Sequence, residues 1–239
     1  MAGEALLSVE GVHVYYGSSH VLQGASISLE SGTAGVIGRN GMGKSTLVKA
    51  IMGLVPVRAG RILLRGEDIT NLKPYQIAGR GVGYVPQGRA IFPSLTVDEH
   101  LKLAARSRAG SEWTIDRVYE MFPRLRERAK HGAAALSGGE QQMLAIGRAL
   151  VTNPVLLIMD EPSEGLAPVV LEGVIKAFRT LIQTGISILL VEQNLHAATS
   201  LISDDLYVMI AGRIVQKVSS EILLRDARVR EQLLGVAPQ

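Results

Sequence analysis

Gly38-Arg39-Asn40-Gly41-Met42-Gly43-Lys44-Ser45 follows a short apolar run, Ala34–Ile37, and precedes Leu47, Val48, Ile51 and Met52, which recur at helical spacing. The stretch fits G-x-x-x-x-G-K-[ST], with a strand before it and a helix after it. Its glycines let successive backbone amides turn inward and form a nest for phosphate oxygens. The helix opening at Lys44 adds the positive end of its dipole. Lys44 can reach the β- and γ-phosphates of a nucleotide, the Ser45 hydroxyl can ligate Mg2+, and Thr46 can reach the α-phosphate. A chance glycine-rich turn would lack the flanking strand and helix.

A phosphate cradle of this kind needs an acid at the end of a buried strand. Val155-Leu156-Leu157-Ile158-Met159 is a continuous apolar run, as a parallel strand covered on both faces requires, and it ends in Asp160-Glu161. Asp160 is placed to hold Mg2+ through water. Glu161 is placed to take a proton from the attacking water as general base. Alone, the two acids would read as a solvated strand end. The cradle gives them a task.

Outward from these two motifs, strands and helices alternate. Leu7, Val9, Val12 and Val14 run into Tyr15, Tyr16 and Gly17 as a strand and turn, and Ala25–Leu29, Arg61–Leu64 and Val82–Val85 read as further strands. Gly53 and Pro56 stop the helix after the cradle. The block from Gln87 to Leu150 is mostly helical. Thr96 and Glu99 form a capping box there, and Ile115, Val118, Tyr119 and Phe122 form an amphipathic set ended by Pro123. Helix Val169–Gln183, strand Ile186–Val191 and helix Leu195–Ile202 follow Asp160-Glu161. A hairpin, Leu206–Ile210 and Arg213–Val218, and a helix over Ser220–Leu234 close the chain. The whole reads as one domain, 1–239, with a helical insertion at about 87–150.

Composition narrows the function. The 239 residues carry no cysteine, which excludes thiol catalysis and Cys-based metal sites. Aromatics are only 4%, too few for nucleic-acid binding by stacked rings, and a net charge of +3 suits an anionic small ligand better than DNA. No apolar run approaches the ~20 residues a membrane span needs. Met1–Val9 carries Glu4 and no basic stretch, so it is not read as a signal peptide.

Leu136-Ser137-Gly138-Gly139-Glu140-Gln141-Gln142 opens another helix, with Ser137 and Glu140 at capping-box spacing. Two glycines leave first-turn amides bare, which makes a second anion site. One nucleotide cannot satisfy both sites within one subunit, so this face is expected to meet the nucleotide of a second subunit.

Here the sequence resembles the ATP-binding cassette ATPases, whose signature is LSGGEQQ, over about Leu7 to Leu224. The resemblance implies an α/β P-loop NTPase fold with a RecA-like parallel core, an antiparallel β subdomain and a helical subdomain insertion. It implies ATP and Mg2+ as ligands. It places Tyr16 on the adenine, Gly38, Arg39, Asn40, Gly41, Met42, Gly43, Lys44, Ser45 and Thr46 around the phosphates, and Ser137, Gly138 and Gly139 on the partner's nucleotide. Gln87 takes the position of a glutamine that contacts Mg2+ and senses the membrane partner, while Tyr15 is expected in the core. Pro162-Ser163-Glu164-Gly165-Leu166 occupies the position of subunit-to-subunit contacts.

One position departs from the general pattern. Most cassettes place a γ-phosphate-contacting histidine after the strand at Ile186–Val191, and here Gln193 stands there. A glutamine amide donates to phosphate but carries no charge. The alternative reading of Gln193 is a cap for the helix near Leu195. His196 is read as a solvated helix residue, and His13, His20, His100 and His131 as surface or satisfied positions. The Arg124, Arg126, Arg128 and Lys130 cluster reads as a solvated helix face.

Glu192-Gln193-Asn194, Tyr84-Val85-Pro86-Gln87-Gly88-Arg89 and Asp160–Pro168 resemble the ATPases of branched-chain amino acid and urea or amide importers. That branch implies a second ATPase subunit, equal or different, a transmembrane permease and, indirectly, a solute-binding protein. It implies a location on the cytoplasmic face of the cell membrane and no nucleic-acid partner. The rivals fare worse. DNA-repair cassettes insert a long coiled coil between the cradle and the signature, and no sustained heptads lie between Ser45 and Ser137. Translation-factor relatives carry two cassettes per chain. A GTPase would show a guanine-reading NKxD motif, and a P-loop kinase would leave LSGGEQQ unexplained.

Overall fold

The computed structural model describes residues 5–105, 111–203 and 205–225. The chain opens with β1 (Leu7–Tyr16), β2 (Ser19–Leu29), β3 (Thr33–Ile37), α1 (Lys44–Ile51), β4 (Ala59–Leu64), β5 (Glu67–Asp68), α2 (Pro74–Gly79) and β6 (Val82–Val85). Four helices follow: α3 (Val97–Ala104), α4 (Ile115–Met121), α5 (Pro123–Glu127) and α6 (Gly138–Leu150). The alternation then resumes with β7 (Leu156–Asp160), α7 (Pro168–Gln183), β8 (Ser187–Glu192), α8 (Leu195–Leu201), β9 (Leu206–Ile210), β10 (Arg213–Val218) and α9 (Ser220–Arg225). Met1–Glu4 and the stretch of the closing helix beyond Arg225 lie outside the described residues.

Two sheets carry these elements. One is antiparallel, in the order β2-β1-β4-β5, and the other runs β10-β9-β3-β8-β7-β6. In the second, β6, β7, β8, β3 and β9 are parallel, and only β10 is antiparallel. Every residue of β7 and β8 is buried, which is why both read as unbroken apolar runs. On one face, α1 and the antiparallel layer pack through Val9, Val14, Leu47, Ile51, Ile62 and Val191. On the other, α6 and α7 bury Leu144, Leu150, Val174 and Phe178 against Leu157, Met159 and Leu190.

As expected, α4 stops at its cap Phe122 directly before Pro123, and Pro123 then opens α5, where its missing N–H costs nothing. Two local expectations change. The second strand begins already at Ser19, because it pairs with Tyr16 across the hairpin turn. Tyr15 is not core. Alternation along β1 turns Val12 and Val14 inward, so Tyr15 points out, 38% exposed, and stacks on His20 at 4.1 Å between ring centroids. Of the other histidines, His13 Nδ1 lies 3.0 Å from His20 Nε2, buried His100 accepts from the Phe92 amide at 2.9 Å, and His131 is exposed. His196 is exposed and pairs with Glu172. The arginine cluster is also a solvated face, with Arg124 and Arg126 paired to Glu127 and Asp116.

Candidate functional site

The carboxyl ends of β3, β8, β7 and β6 lie side by side, where ligands of open parallel sheets bind. Each end delivers a group singled out in the sequence. The cradle follows β3, Gln193 follows β8, Asp160 and Glu161 end β7, and Gln87 follows β6.

The cradle is shaped by Gly43. It caps α1 at φ 103°, a left-handed conformation, and a Cβ there would stand 3.1 Å from Leu22 Cδ2. No side chain caps α1, so its first-turn amides face the cleft uncapped. Asn40, Gly41, Gly43, Lys44, Ser45, Thr46, Gln87 and Glu161 line a cleft of about 280 Å3, with Val21 of β2 forming one wall. Gly38 lies behind it, where a Cβ would meet the Met209 carbonyl at 2.5 Å. Met42 is not among the lining residues; its sulfur accepts the Ala211 amide. Tyr16 stands at the end of β1, past an irregularity in register between Val14 and Tyr15; it is 47% exposed and is not among the residues lining the cleft.

Lys44 Nζ is 2.9 Å from Glu161 Oε1 and donates to the Arg39 carbonyl at 3.1 Å. Ser45 Oγ donates to Asp160 Oδ1 at 3.0 Å. Burial pushes the Asp160 carboxyl up to about 6, against the lowering effect of the Ser45 bond. Ser45 and Asp160 place a hydroxyl and a carboxylate side by side, hard oxygen groups that fit Mg2+ held by Ser45 directly and by Asp160 through water. Glu161 has φ 47°, a left-handed turn in which its own amide is held by the Val191 carbonyl at 2.8 Å. A non-glycine residue held there marks a position the surroundings enforce. Gln87 Nε2 donates to Glu161 Oε2 at 3.3 Å and to Glu164 Oε2 at 3.0 Å.

Gln193 is exposed and shares a hollow with Glu161, Ser163 and Glu164. It does not cap α8. Asn194 does, accepting from the Ala197 amide at 3.1 Å. Ser137, Gly138 and Gly139 are not among the residues lining the phosphate cleft. They start α6, with Ser137 Oγ accepting the Glu140 amide at 3.3 Å. Gly139 also has a packing duty, since a Cβ there would meet Val170 Cγ1 at 2.4 Å.

Three further groups around this cleft make hydrogen bonds that their sequence neighbourhoods do not announce. Arg89 donates to Gln141 Oε1 and to the Glu164 carbonyl, tying the Gln87 loop to α6 and to the loop after β7. Glu164 shares Gln87 with Glu161. Glu192 is 1% exposed and accepts four hydrogen bonds, from Ser163 N at 3.0 Å, Ser163 Oγ at 2.9 Å, and Gln193 N and Asn194 N at 3.2 Å each. Burial pushes its carboxyl above the usual range, and the bonds from Ser163 and Asn194 pull it back. A hollow of about 610 Å3 also opens at the amino ends of β7 and β8, lined by Arg65, Trp113 and Pro154, but it gathers none of these groups.

A phosphate-cradling loop at a parallel-sheet edge, faced by paired acids, defines a P-loop nucleotide-binding domain. The family model described as ABC transporter matches residues 22–164, and the chain belongs to that family. It is 40% identical to the high-affinity branched-chain amino acid transport ATP-binding protein BraG of Pseudomonas aeruginosa, over 96% of this chain and 100% of that one. It is 39% identical to the "Probable branched-chain amino acid transport ATP-binding protein LivF" of Archaeoglobus fulgidus, over 89% and 90%. The lipopolysaccharide export ATP-binding protein LptB of Escherichia coli matches at 30% over 97% and 98%. Among solved structures, a nucleotide-free ATP-binding cassette from an ABC transporter superposes with TM-score 0.83 at 30% identity, covering 97% of this chain and 100% of that one. The ADP conformation of another cassette superposes with TM-score 0.80 at 30% identity, covering 95% and 97%. The chain is a nucleotide-binding ATPase of this family, whose ATP-binding subunits pair with transmembrane permeases and dimerise. Among the described residues no helix is long and apolar enough to cross a membrane.

Proposed function

We propose that this chain is the ATP-hydrolysing subunit of a branched-chain amino acid importer. The observation that carries the catalytic reading is the convergence of Lys44, Asp160, Glu161, Gln87 and Gln193 at four adjacent strand ends. The likeness to BraG and LivF, at 40% and 39% identity, supports the solute over the lipid cargo named for LptB at 30%.

In this reading the amides of Gly41–Ser45 hold the β- and γ-phosphates, with Arg39 and Asn40 at the mouth and Tyr16 against the adenine. Lys44 leaves Glu161 for the γ-phosphate. Glu161, so released, accepts a proton from water as the water oxygen bonds to the γ-phosphorus and the bond to the ADP oxygen breaks. Gln193 orients or stabilises the transferring group through its amide. Mg2+, held by Ser45 and Gln87 and through water by Asp160, supplies charge neutralisation when bound. Ser137, Gly138 and Gly139 serve the nucleotide of a second ATPase subunit. The permease docks at an apolar groove beside the Gln87 loop, lined by Met52, Tyr84, Phe92 and Leu103, of which Phe92 is 49% and Leu103 68% exposed. ATP then closes the dimer, hydrolysis reopens it, and the permease follows, on the cytoplasmic face of the membrane. A solute-binding protein outside the membrane would deliver the solute.

Uptake by cells lacking this chain tests the assignment. Uptake of radiolabelled leucine, isoleucine and valine should fall, and be restored by the parent gene but not by Glu161→Gln. Loss of urea or short-amide uptake instead, with branched-chain uptake intact, would transfer the ATPase to that other branch of importers.

A further inference from the structure

An ionised carboxylate offers about four acceptor sites and no donor. Glu192 accepts four hydrogen bonds, one on Oε1 and three on Oε2, from two different segments. Ser163, in the loop after β7, supplies its amide and its hydroxyl. Gln193 and Asn194, in the turn after β8, supply their amides. The carboxylate is 1% exposed. A buried acid this well satisfied is a rigid link, because an unmade hydrogen bond here costs more than the same bond at a surface.

The link joins two segments with different outlooks. Pro162–Leu166 is the stretch that the family resemblance turns toward the second subunit, and Gln193 shares its hollow with Glu161. We propose that Glu192 is a positioning residue, which sets the Gln193 backbone against the Ser163 loop so that the amide of Gln193 aims correctly only when that loop is in its place. The proposal rests on the reading of Gln193 as a group that faces the transferring phosphoryl. The Glu192 carboxylate is buried, and its four bonds all go to these two segments. Its effect on turnover passes through its neighbour.

Glu192→Gln keeps the shape but replaces one acceptor oxygen with an NH2, which confronts at least one of the four donors. Ser163→Ala is gentler: it removes the hydroxyl and keeps the amide bond. Steady-state hydrolysis by the full chain with ATP and Mg2+ is measured for Glu192→Gln, Ser163→Ala, Gln193→Ala and the two pairs that include Gln193→Ala. Gln193→Ala should lower kcat about 10-fold or more, the loss expected for one donor to a developing charge. Glu192→Gln should lower kcat by a similar factor and Ser163→Ala by less, with KM for ATP little changed in both. Neither should slow the enzyme further once Gln193 is alanine, because residues acting through one group are not additive. If the factors instead multiply in the double variants, or if Glu192→Gln melts like the parent and turns over at the parent's rate, the coupling is wrong. If Gln193→Ala alone is silent, the reading of Gln193 fails first and the proposal falls with it. Should Glu192→Gln not fold, the Ser163→Ala pair decides by the same rule.

Discussion

Lys44 and Glu161 neutralise each other. Their charged atoms lie 2.9 Å apart, and the side chains are only 3% and 7% exposed. The cation proposed to meet the phosphate is thus held by the acid proposed to activate water. Removing one partner of a buried pair leaves an uncompensated charge, at a cost of about 3 kcal/mol. Lys44→Ala should therefore lower the melting temperature of the nucleotide-free protein by roughly 6–12 °C, given about 2–4 °C per kcal/mol at this size. It should also abolish the stabilisation that ATP gives the parent. Adding Glu161→Gln to Lys44→Ala should restore part of the lost stability. Calorimetry of the three variants with and without ATP checks both claims, and an unchanged melting temperature for Lys44→Ala would show that the pair does no structural work.

Asp160 predicts a pH dependence. Its carboxyl is pushed up to about 6, so the folded chain binds this proton more tightly than the unfolded chain, whose carboxyl titrates near 4. The extra stability is fully present below about pH 4 and is lost as pH rises through 6. Asp160→Asn cannot titrate. Without nucleotide or Mg2+, the melting temperature of the parent relative to Asp160→Asn should therefore fall as pH rises from about 4 to above 6. A constant difference across that window would contradict the burial cost assigned to this group.

Gln193 should make hydrolysis less sensitive to acid than a histidine would. An imidazole titrates near 6.5, whereas an amide keeps its donors throughout. Between about pH 6 and 8, Gln193→His should add an inflection that the parent lacks. Matching pH–rate profiles for parent and Gln193→His would remove the phosphate-facing role.

Much of this site is legible before folding, because its parts are local. Glycines, a lysine and a serine within Gly38–Ser45 fix a loop, and an apolar run ending in Asp160-Glu161 fixes a strand end. What escapes is tertiary. Ser163 and Glu192 are 29 positions apart, and nothing in their neighbourhoods announces that they meet. Arg89 likewise reads as a loop cation until α6 and the loop after β7 close around it. Tyr15 is misread for a different reason. Alternation in β1 overrules its average preference for the core. The short β5 and α2 have too few residues to show a period.

Gly212 marks where the β9–β10 turn is locked to the antiparallel layer. It sits at φ 78°, a Cβ there would stand 2.0 Å from the Val21 carbonyl oxygen, and its amide donates to the Met42 carbonyl at 2.9 Å. Gly212→Ala should cost more than about 2 kcal/mol, the range of strained backbone sites, and should loosen the cradle through Met42. A melting temperature within a degree or two of the parent's would show that the turn yields freely.

The mechanism stands or falls with Glu161 as general base. Glu161→Gln keeps the shape of the side chain but cannot take the proton. Loss of a general base typically slows turnover by 10²–10⁴-fold, about 2.7–5.5 kcal/mol of barrier. The decisive measurement is single-turnover hydrolysis by the full chain, alongside its sedimentation with ATP and Mg2+. Expected are a rate at least roughly 100-fold below the parent's, intact ATP binding, and an ATP-bound dimer that accumulates. Hydrolysis within a few-fold of the parent's, with ATP bound, would contradict it.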